Sequence, residues 1–273
     1  MFKLYLTRFF NRSYVRYLHI VMVLVLVFFL LEWQHENKLY ENIIVANDHN
    51  YGPTSDTAEV RTLMLTISAL MVSRSDLFHD QQNFSLKQRM FQSADRDLMY
   101  GSGACGGFSK VLARTLQLKG YNVRIAQLKT LTYGYGGHTV VEFYSTSCQS
   151  WVMVDPILHG IFIQPNGKWA GIQEIRDHWT EYMDQMPEKF RLEYRFDGVR
   201  YTNWDKLGFF SRGIKSMLDW TLGEERANKV CLRTYFLSTY PFYFTLSVSV
   251  YLLMILVGWY LFNRKHKLRE KSA

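Results

Sequence analysis

Two apolar stretches near the ends of the chain enclose a long segment of mixed hydrophobic and polar character. Residues 18–31 (LHIVMVLVLVFFLL) carry no charge, and with flanks at Tyr14 and Trp33 they reach the ~20 residues that a helix needs to cross a bilayer. Residues 241–262 form a second uncharged stretch of 22 residues, with Tyr and Trp near its ends, as is common where a span meets lipid headgroups. We therefore predict transmembrane helices at 18–33 and 241–262.

The first apolar stretch also has a length that suits the core of a signal peptide. A cleaved signal peptide ends in a small-x-small site, and residues 31–34 (LEWQ) do not provide one. We therefore interpret this stretch as an uncleaved signal anchor.

Helical periodicity dominates the first half of the segment between the spans, residues 34–240. After a polar connector over 34–53, apolar residues at helical spacing predict a helix from a cap at Thr54 or Asp56 to about Ser73. A further helix is predicted from a capping box formed by Ser85 and Gln88 to Met99, and another from Cys105 to a C-terminal glycine, Gly120. The apolar face of the helix from Cys105 is Phe108, Val111, Leu112, Thr115 and Leu116.

Short runs rich in Val, Ile, Tyr and Phe follow, separated by Gly or Ser/Thr turns, which is typical of strands. They lie at 121–128, 139–144 and 151–155, with a turn at 165–168 and further helices at about 172–184 and 213–230. Helices followed by a cluster of strands predict an α+β fold with an antiparallel sheet, whose core we place at about residues 54–185.

Composition and charge exclude several classes of protein. An apolar fraction of 48% and an aromatic fraction of 16% argue against disorder, and three Cys in 273 residues cannot form a disulfide scaffold. The mean hydropathy of −0.14 excludes a polytopic membrane protein but not one or two spans. The net charge of +8 lies entirely in two tails, with +4 in residues 1–17 and +4 in residues 263–273. The balanced charge between them does not support a nucleic-acid groove, and no nucleic-acid partner is expected.

The same two tails predict the topology. Basic residues in short segments beside a span stay on the cytoplasmic side of the membrane. We therefore expect the tails 1–17 and 263–273 to be cytoplasmic and residues 34–240 to lie outside, in the periplasm or the exterior of a bacterium, or in a lumen or the exterior in a eukaryote. The prediction is an integral protein of a bacterial inner membrane, with the lipid bilayer as one partner.

Cys105 is the first candidate for chemistry, because it stands in the first turn of a predicted helix. Helix N-termini carry unpaired N–H groups and a partial positive charge, which favour a thiolate over a thiol. Gly106 and Gly107 follow, a local departure from helix propensity that would let a substrate approach the backbone closely. The backbone N–H of Cys105 is also a candidate oxyanion donor.

His138 and Asp155 complete a candidate triad. His138 opens the strand 138–144, and Asp155 closes the strand 151–155 just before Pro156. If the two strands are antiparallel neighbours, the start of one lies beside the end of the other, which brings a base and its orienting acid together.

Three motifs in this order resemble the transglutaminase-like superfamily: residues 103–108 (GACGGF), 137–142 (GHTVVE) and 151–156 (WVMVDP). The resemblance covers about residues 100–160. It implies a papain-like core in which Cys105 is the nucleophile, His138 the general base and Asp155 the residue that orients the histidine. It also implies a thioacyl-enzyme intermediate resolved by water or by an amine.

The resemblance leaves parts of the site open. Animal transglutaminases carry calcium sites and extra β-domains, for which this chain shows no calcium-loop pattern and has no room, so no cofactor or metal is expected. Tyr100, Ser102 and Gln92 are equal candidates for a second oxyanion donor. His159, Trp151 and Trp169 are candidates to line a substrate cleft, although such Trp residues more often belong to a core.

Other interpretations of the same residues remain. Cys105, His138, Cys148 and His159 could bind zinc, although no C-x-x-C or H-x-x-x-H pair anchors such a site. Cys148 and Cys231 could form a disulfide or stay free, and Asn83 begins a glycosylation sequon that matters only in a eukaryote.

The function predicted from the sequence is a membrane-anchored cysteine hydrolase or acyltransferase. It would act on a peptide or other amide-bearing substrate of the cell envelope, and membrane-complex partners are conceivable. One alternative is a non-catalytic scaffold or binding module of an envelope polysaccharide or peptide assembly complex. Another is a thiol redox or metal protein.

Overall fold

The computed structural model describes residues 13–51, 55–73, 94–131, 134–191, 194–202, 204 and 209–271. The chain divides into two compact units, Met1–Asn37 with Ser238–Ala273, and Lys38–Leu237. The predicted capping box at Ser85 and Gln88, the sequon at Asn83 and the oxyanion candidate Gln92 lie outside the described residues.

The first unit contains two helices that are long and apolar enough to cross a membrane. Helix α1 is Ser13–Tyr51 and helix α10 is Tyr240–Lys271, and the candidate spans within them are Val15–Asn50 and Tyr240–Phe262. His19 of α1 hydrogen-bonds to Tyr251 of α10, and Phe29 of α1 stacks on Tyr243 with ring centroids 5.7 Å apart. Residues farther along α1 therefore pair with residues earlier in α10, so the two helices run antiparallel.

The predicted polar connector at residues 34–53 is wrong, because helix α1 continues without interruption to Tyr51. Tyr40, Ile43 and Asn47 recur at a spacing of three and four residues and are buried within the second unit. One face of this polar helical stretch therefore packs on the core, and that packing stabilises the helix despite the many polar residues on its other faces.

The second unit is an α+β domain built on an antiparallel sheet of five strands. The strands are β3 (Val123–Thr130), β4 (Gly134–Ser145), β5 (Ser150–Asp155), β6 (Gly160–Ile161) and β7 (Tyr194–Arg200). Their spatial order is β6-β5-β4-β3-β7, and every pair in it is antiparallel. Two very short strands, β1 (Val72–Ser73) and β2 (Ser102–Gly103), pair separately and in parallel.

Helices cover this sheet and carry much of the core. Helix α4 (Cys105–Leu118) buries one face, as its predicted apolar spacing requires, and its neighbour α2 (Asp56–Leu70) contributes Val60, Leu63 and Ile67. The cap of α2 is Ser55, whose side chain accepts the N–H of Ala58, rather than either residue predicted from the sequence. The other described helices are α3 (Ala94–Met99), α5 (Ile172–Asp177), α6 (Trp179–Tyr182), α7 (Glu188–Arg191), α8 (Phe209–Leu222) and α9 (Glu224–Asn228), with 3-10 turns at Met183–Gln185 and Leu232–Phe236.

Asp56, proposed as a cap, instead ties the start of α2 to the β4–β5 turn. Its Oδ2 accepts hydrogen bonds from the Ser145 hydroxyl, the Thr146 hydroxyl and the Ser147 N–H at 2.9–3.1 Å. Burial alone would raise the pKa of Asp56, but a hydrogen bond from the Ser147 hydroxyl to Oδ1, together with these three, outweighs burial and lowers the pKa to about 2. The carboxylate therefore fixes the hairpin that joins the two strands of the candidate site.

The C-terminal half of the domain departs most from prediction. The fifth strand, β7, lies beyond the predicted core limit near residue 185 and was not predicted, although it pairs with β3. The helix predicted at 213–230 is divided at Gly223, whose φ of +79° favours glycine and breaks the helical path. The helix predicted at 172–184 is likewise split into α5, α6 and a 3-10 turn.

A candidate active site at the start of helix α4

Cys105 is the first residue of helix α4 and is half-buried. Ala104 occupies the N-cap position and has no side chain that could bond to the first N–H groups of the helix. Within the described residues the backbone N–H of Cys105 has no hydrogen-bond acceptor, as is usual for the first turn of a helix. The helix start therefore presents a thiol beside a free donor and the positive end of the helix dipole.

The two glycines after Cys105 have different surroundings. A Cβ on Gly106 would meet no atom within 4 Å, so this position leaves open space beside the thiol. A Cβ on Gly107 would lie 2.7 Å from Oδ2 of Asp97 in helix α3. Gly106 fits the predicted close approach of a substrate, whereas Gly107 is required for the packing of α3 against α4.

His138 and Asp155 meet at one edge of the sheet, as the strand argument predicts. Strands β4 and β5 are antiparallel neighbours, with Ser145 opposite Ser150 at the turn between them. Nε2 of His138 lies 2.5 Å from Oδ2 of Asp155, and both side chains are almost completely buried. The second carboxylate oxygen of Asp155 accepts the N–H groups of residues 157 and 158, at 3.1 and 3.3 Å, which fixes its orientation.

Cys105 and His138 interact, and their pKa values move in opposite directions. Burial by itself would raise the pKa of the Cys105 thiol, but the hydrogen bond to His138 and the charge of the imidazolium outweigh burial and lower it. Burial would lower the pKa of His138, but the charge and hydrogen bond of Asp155, with the contribution of Cys105, raise it to about 10. The pair is therefore biased toward thiolate and imidazolium.

The ring orientation of His138 is set from two sides. Because Nε2 is engaged by Asp155, Nδ1 is the ring nitrogen that remains for Cys105. The ring also stacks on Tyr194 of strand β7, with centroids 4.4 Å apart and planes 18° apart. Tyr194 was not identified from the sequence, although apolar residues alternate with polar ones at 194–197 (YRFD), a strand signal that could have found it.

Loss of the Tyr194 ring is expected to loosen His138. In Tyr194→Leu the imidazole loses its stacking partner, and we expect the alkylation rate of Cys105 by iodoacetamide at pH 6 to fall about tenfold. Tyr194→Phe keeps the ring and serves as the matched control, with a rate near that of the wild type. Equal rates in the leucine and phenylalanine variants would show that the stack does not position the histidine.

Thr139 anchors the start of helix α4 to strand β4. Its carbonyl accepts the Ser109 hydroxyl at 2.8 Å, and its side chain hydrogen-bonds to Cys105. Gln127 of β3 is the register partner of Thr139, is 9% exposed, and has an Oε1 without a hydrogen-bond partner in the described part of the chain.

Arg233 is a second residue that sequence reasoning missed. It lies in the 3-10 turn Leu232–Phe236, which Gln117 of helix α4 holds through a bond to the carbonyl of Thr234 at 3.1 Å. Burial lowers the pKa of Arg233, and the charge of Arg200 lowers it further, while Cys231 and Cys105 act in the opposite direction. Arg233 is half-buried and has no hydrogen-bond or ion-pair partner among the residues that the structure describes.

A second buried charge cluster lies farther along strand β4. Glu142 is 1% exposed, and its Oε2 accepts the Arg124 Nε–H at 2.7 Å and the Tyr201 hydroxyl at 2.5 Å. Its Oε1 accepts the first N–H of helix α5, from Ile172, at 3.1 Å. The Arg124 guanidinium also lies over the ring of Trp151, 4.1 Å from its centroid. The contacts of Glu142 hold the fold together. Trp151, a predicted candidate for the substrate cleft, packs against Arg124 in this cluster.

The other predicted side chains have separate places. His159, which has a φ of +53°, and Trp169 line an open groove of about 220 Å³ together with Arg61, Met64, Leu65, Ile161 and Ile163. Tyr100 is 78% exposed, and Ser102 lies in strand β2.

The remaining cysteines and the proposed zinc ligands do not assemble into a site. Cys148 and Cys231 are both buried free thiols, and Cys231 bonds to the backbone of Ile125 at 3.3 Å. In the described ranges, no three or more His, Cys, Asp or Glu residues are grouped so that they could hold a metal ion. The four residues considered for zinc therefore do not share one centre.

No protein-family model matches the chain, and no curated protein matches it. Among solved structures, a crystal structure of a TGase is similar to this chain, with a TM-score of 0.37 and 13% sequence identity. The similarity covers 45% of this chain and 32% of that chain, so this chain spans about a third of the length of the structure it matches.

Proposed function

We propose that this protein is a membrane-anchored, transglutaminase-like cysteine hydrolase or acyltransferase that acts on an amide substrate of the cell envelope. The observation that carries the proposal is the buried chain of contacts from Cys105 through His138 to Asp155, with 2.5 Å between Nε2 and the carboxylate. A nucleophile, a base and an orienting acid in this order are the machinery of acyl transfer through a covalent intermediate.

In the first step the Cys105 thiolate attacks the carbonyl carbon of the amide, and a carbon–sulfur bond forms. The resulting oxyanion lies near the free N–H of Cys105, and open space beside Gly106 leaves room for the substrate. The carbon–nitrogen bond then breaks, and the His138 imidazolium gives its proton to the departing amine. The products of this step are a thioester on Cys105 and a neutral imidazole held by Asp155.

The thioester is resolved by a second nucleophile. His138, now neutral, takes a proton from water, whose oxygen attacks the thioester carbon, and the carbon–sulfur bond breaks to release a carboxylic acid. If an amine takes the place of water, the product is a new amide. The proton that His138 gains restores the imidazolium and the thiolate for the next turnover.

The two long apolar helices would anchor this chemistry at a membrane. Two antiparallel spans place both chain ends on one side, and the basic tails favour the cytoplasm for that side. Residues 34–240 would then face the periplasm or the exterior, where peptides and other amide-bearing envelope components occur. The catalytic domain would be held within reach of the bilayer surface.

The proposal is tested by thiol alkylation of the full-length protein in detergent. At pH 6 an ordinary thiol is almost entirely protonated, so iodoacetamide should modify Cys105 rapidly and the buried Cys148 and Cys231 hardly at all. Mass spectrometry identifies the modified residue, and the two buried thiols act as internal controls. A Cys105 rate that rises tenfold per pH unit from pH 6 to pH 8, as for a free thiol, would refute an activated nucleophile.

Arg233 supports a substrate that carries a carboxylate near the scissile amide. A half-buried guanidinium without a described acidic partner is costly unless a ligand provides the charge, and its planar fork suits a carboxylate. This guanidinium favours an acidic peptide or amide over a neutral one.

Iodoacetate and iodoacetamide, which differ in charge, test the role of Arg233. In Arg233→Gln we expect the rate of Cys105 alkylation by anionic iodoacetate to fall about tenfold, while the rate with neutral iodoacetamide changes less than about twofold. Arg226→Gln, on the exposed side of helix α9, is the matched control for a general loss of charge. Equal losses with both reagents would assign Arg233 to stabilisation of the thiolate and not to substrate binding.

A further inference from the structure

Helix α8, Phe209–Leu222, exposes apolar side chains along one face. Ile214 is 45% exposed, Met217 is 58% exposed and Trp220 is 85% exposed. A spacing of three residues places these side chains on neighbouring turns of the same face.

The polar residues of the same helix occupy the other face. Arg212, Ser216 and Asp219 follow one another at helical spacing, and Lys215 forms an ion pair with Asp219. Arg212 is exposed and has no ion-pair partner within the described ranges. The helix is therefore amphipathic, and its apolar face lies largely open instead of packing on the core.

The chain itself indicates what covers this face. Only residues 223–239 separate α8 from helix α10, whose stretch Tyr240–Phe262 is long and apolar enough to cross a membrane. The 17 intervening residues, which include helix α9 and a 3-10 turn, span at most ~60 Å when fully extended, so the bilayer surface is within reach of α8. Helices that lie in the plane of the membrane–water interface have this composition, with Trp, Met and Ile on one face and Arg and Lys on the other.

We infer that helix α8 is an interfacial helix that inserts the side chains of Ile214, Met217 and Trp220 into the lipid headgroup region, with its polar face toward water. This surface would hold the domain at a fixed distance from the bilayer, in addition to the two spans. The inference does not depend on the chemistry proposed for Cys105.

Spin labels on adjacent residues of opposite faces test this inference. Full-length protein with Cys105→Ala carries either Met217→Cys on the apolar face or Ser216→Cys on the polar face as the matched control. Each variant is labelled with a nitroxide and reconstituted into vesicles of phosphatidylethanolamine with a quarter phosphatidylglycerol. The accessibility of each label to oxygen, which concentrates in lipid, is compared with its accessibility to a polar nickel complex.

We expect the ratio of oxygen to nickel accessibility at residue 217 to exceed that at residue 216 by about tenfold. A high nickel accessibility at both positions would place the apolar face in water and overturn the inference. Shielding of residue 217 from both reagents, or dipolar broadening of its spectrum, would show that protein covers the apolar face. Either result would also overturn the inference. A normal labelling yield with a melting temperature near that of the parent confirms that each variant is folded.

Discussion

Replacement of His138 by glutamine is expected to slow the alkylation of Cys105 by iodoacetamide at pH 6 by about 10²- to 10³-fold. In the wild type the hydrogen bond and charge of His138 lower the pKa of the thiol despite burial. Without the imidazolium, burial is the dominant influence on that pKa, larger than the remaining contribution of Thr139, and it raises the pKa, so almost no thiolate remains in mildly acidic solution.

The pH profile distinguishes this effect from misfolding. In His138→Gln the rate should rise tenfold per pH unit and approach the wild-type rate above pH 9, whereas the wild-type rate should stay nearly level from mildly acidic pH upward. His178→Gln, which changes an exposed histidine beside Glu174, is the control and should leave the rate unchanged. A uniformly slow rate at every pH would contradict the electrostatic role of His138.

Turnover should have an upper pH limit as well as a lower one. His138 must be protonated to donate to the leaving amine, and its pKa is raised to about 10, so this capacity is present below pH 10 and is lost above it. In Asp155→Asn the carboxylate charge that raises this pKa is absent, and the upper limit should move toward neutral pH. An unchanged upper limit in Asp155→Asn would show that the acid does not set the charge of His138.

Replacement of Glu142 by alanine is expected to lower the free energy of unfolding by about 3–5 kcal/mol. The substitution leaves the Arg124 guanidinium without its carboxylate, and it removes the acceptor for Tyr201 and for the first N–H of helix α5. Urea titration of the detergent-solubilised protein, followed by the exposure of the buried Cys148 and Cys231 thiols, measures the loss.

A surface variant and a double variant provide the comparison for Glu142. Glu174→Ala removes an exposed pair with His178 and a hydrogen bond of 3.3 Å from the Tyr182 hydroxyl, and it should cost less than about 1 kcal/mol. Glu142→Leu combined with Arg124→Leu removes both charges and should recover part of the stability lost in Glu142→Ala. A cost below about 1 kcal/mol for Glu142→Ala would contradict the view that this cluster secures β4 beneath the candidate site.

The two long apolar helices are predicted well in outline and poorly at their borders. The uncharged stretches identify both long helices, because length and apolar character are local properties of the sequence. The continuation of α1 past residue 34 was missed, since its buried face of Tyr40, Ile43 and Asn47 stabilises the helix only through contacts with the domain. A polar stretch considered alone gives no indication of what packs against it.

In the domain, too, the elements with a local sequence pattern are predicted, whereas the contacts between residues far apart in the chain are not. The helix from Cys105, the three central strands and the turn at 165–168 are predicted from spacing and turn residues and are present in the structure. Strand β7 has the alternation of a strand, but it pairs with β3, more than 60 residues earlier in the chain. Tyr194 and Arg233 were missed because their place beside the candidate site follows from this long-range packing.

By itself, the sequence determined which residue types could perform chemistry and in what order, because a helix start, a strand start and a strand end each leave a local pattern. The tertiary structure decided that His138 and Asp155 form a buried pair that interacts with Cys105, and it added a stacked tyrosine and an arginine. The physical reason is that the sheet brings together residues that are far apart in the chain. The hydrogen bonds and the burial that result set the pKa values of Cys105 and His138, from which the nucleophile is inferred.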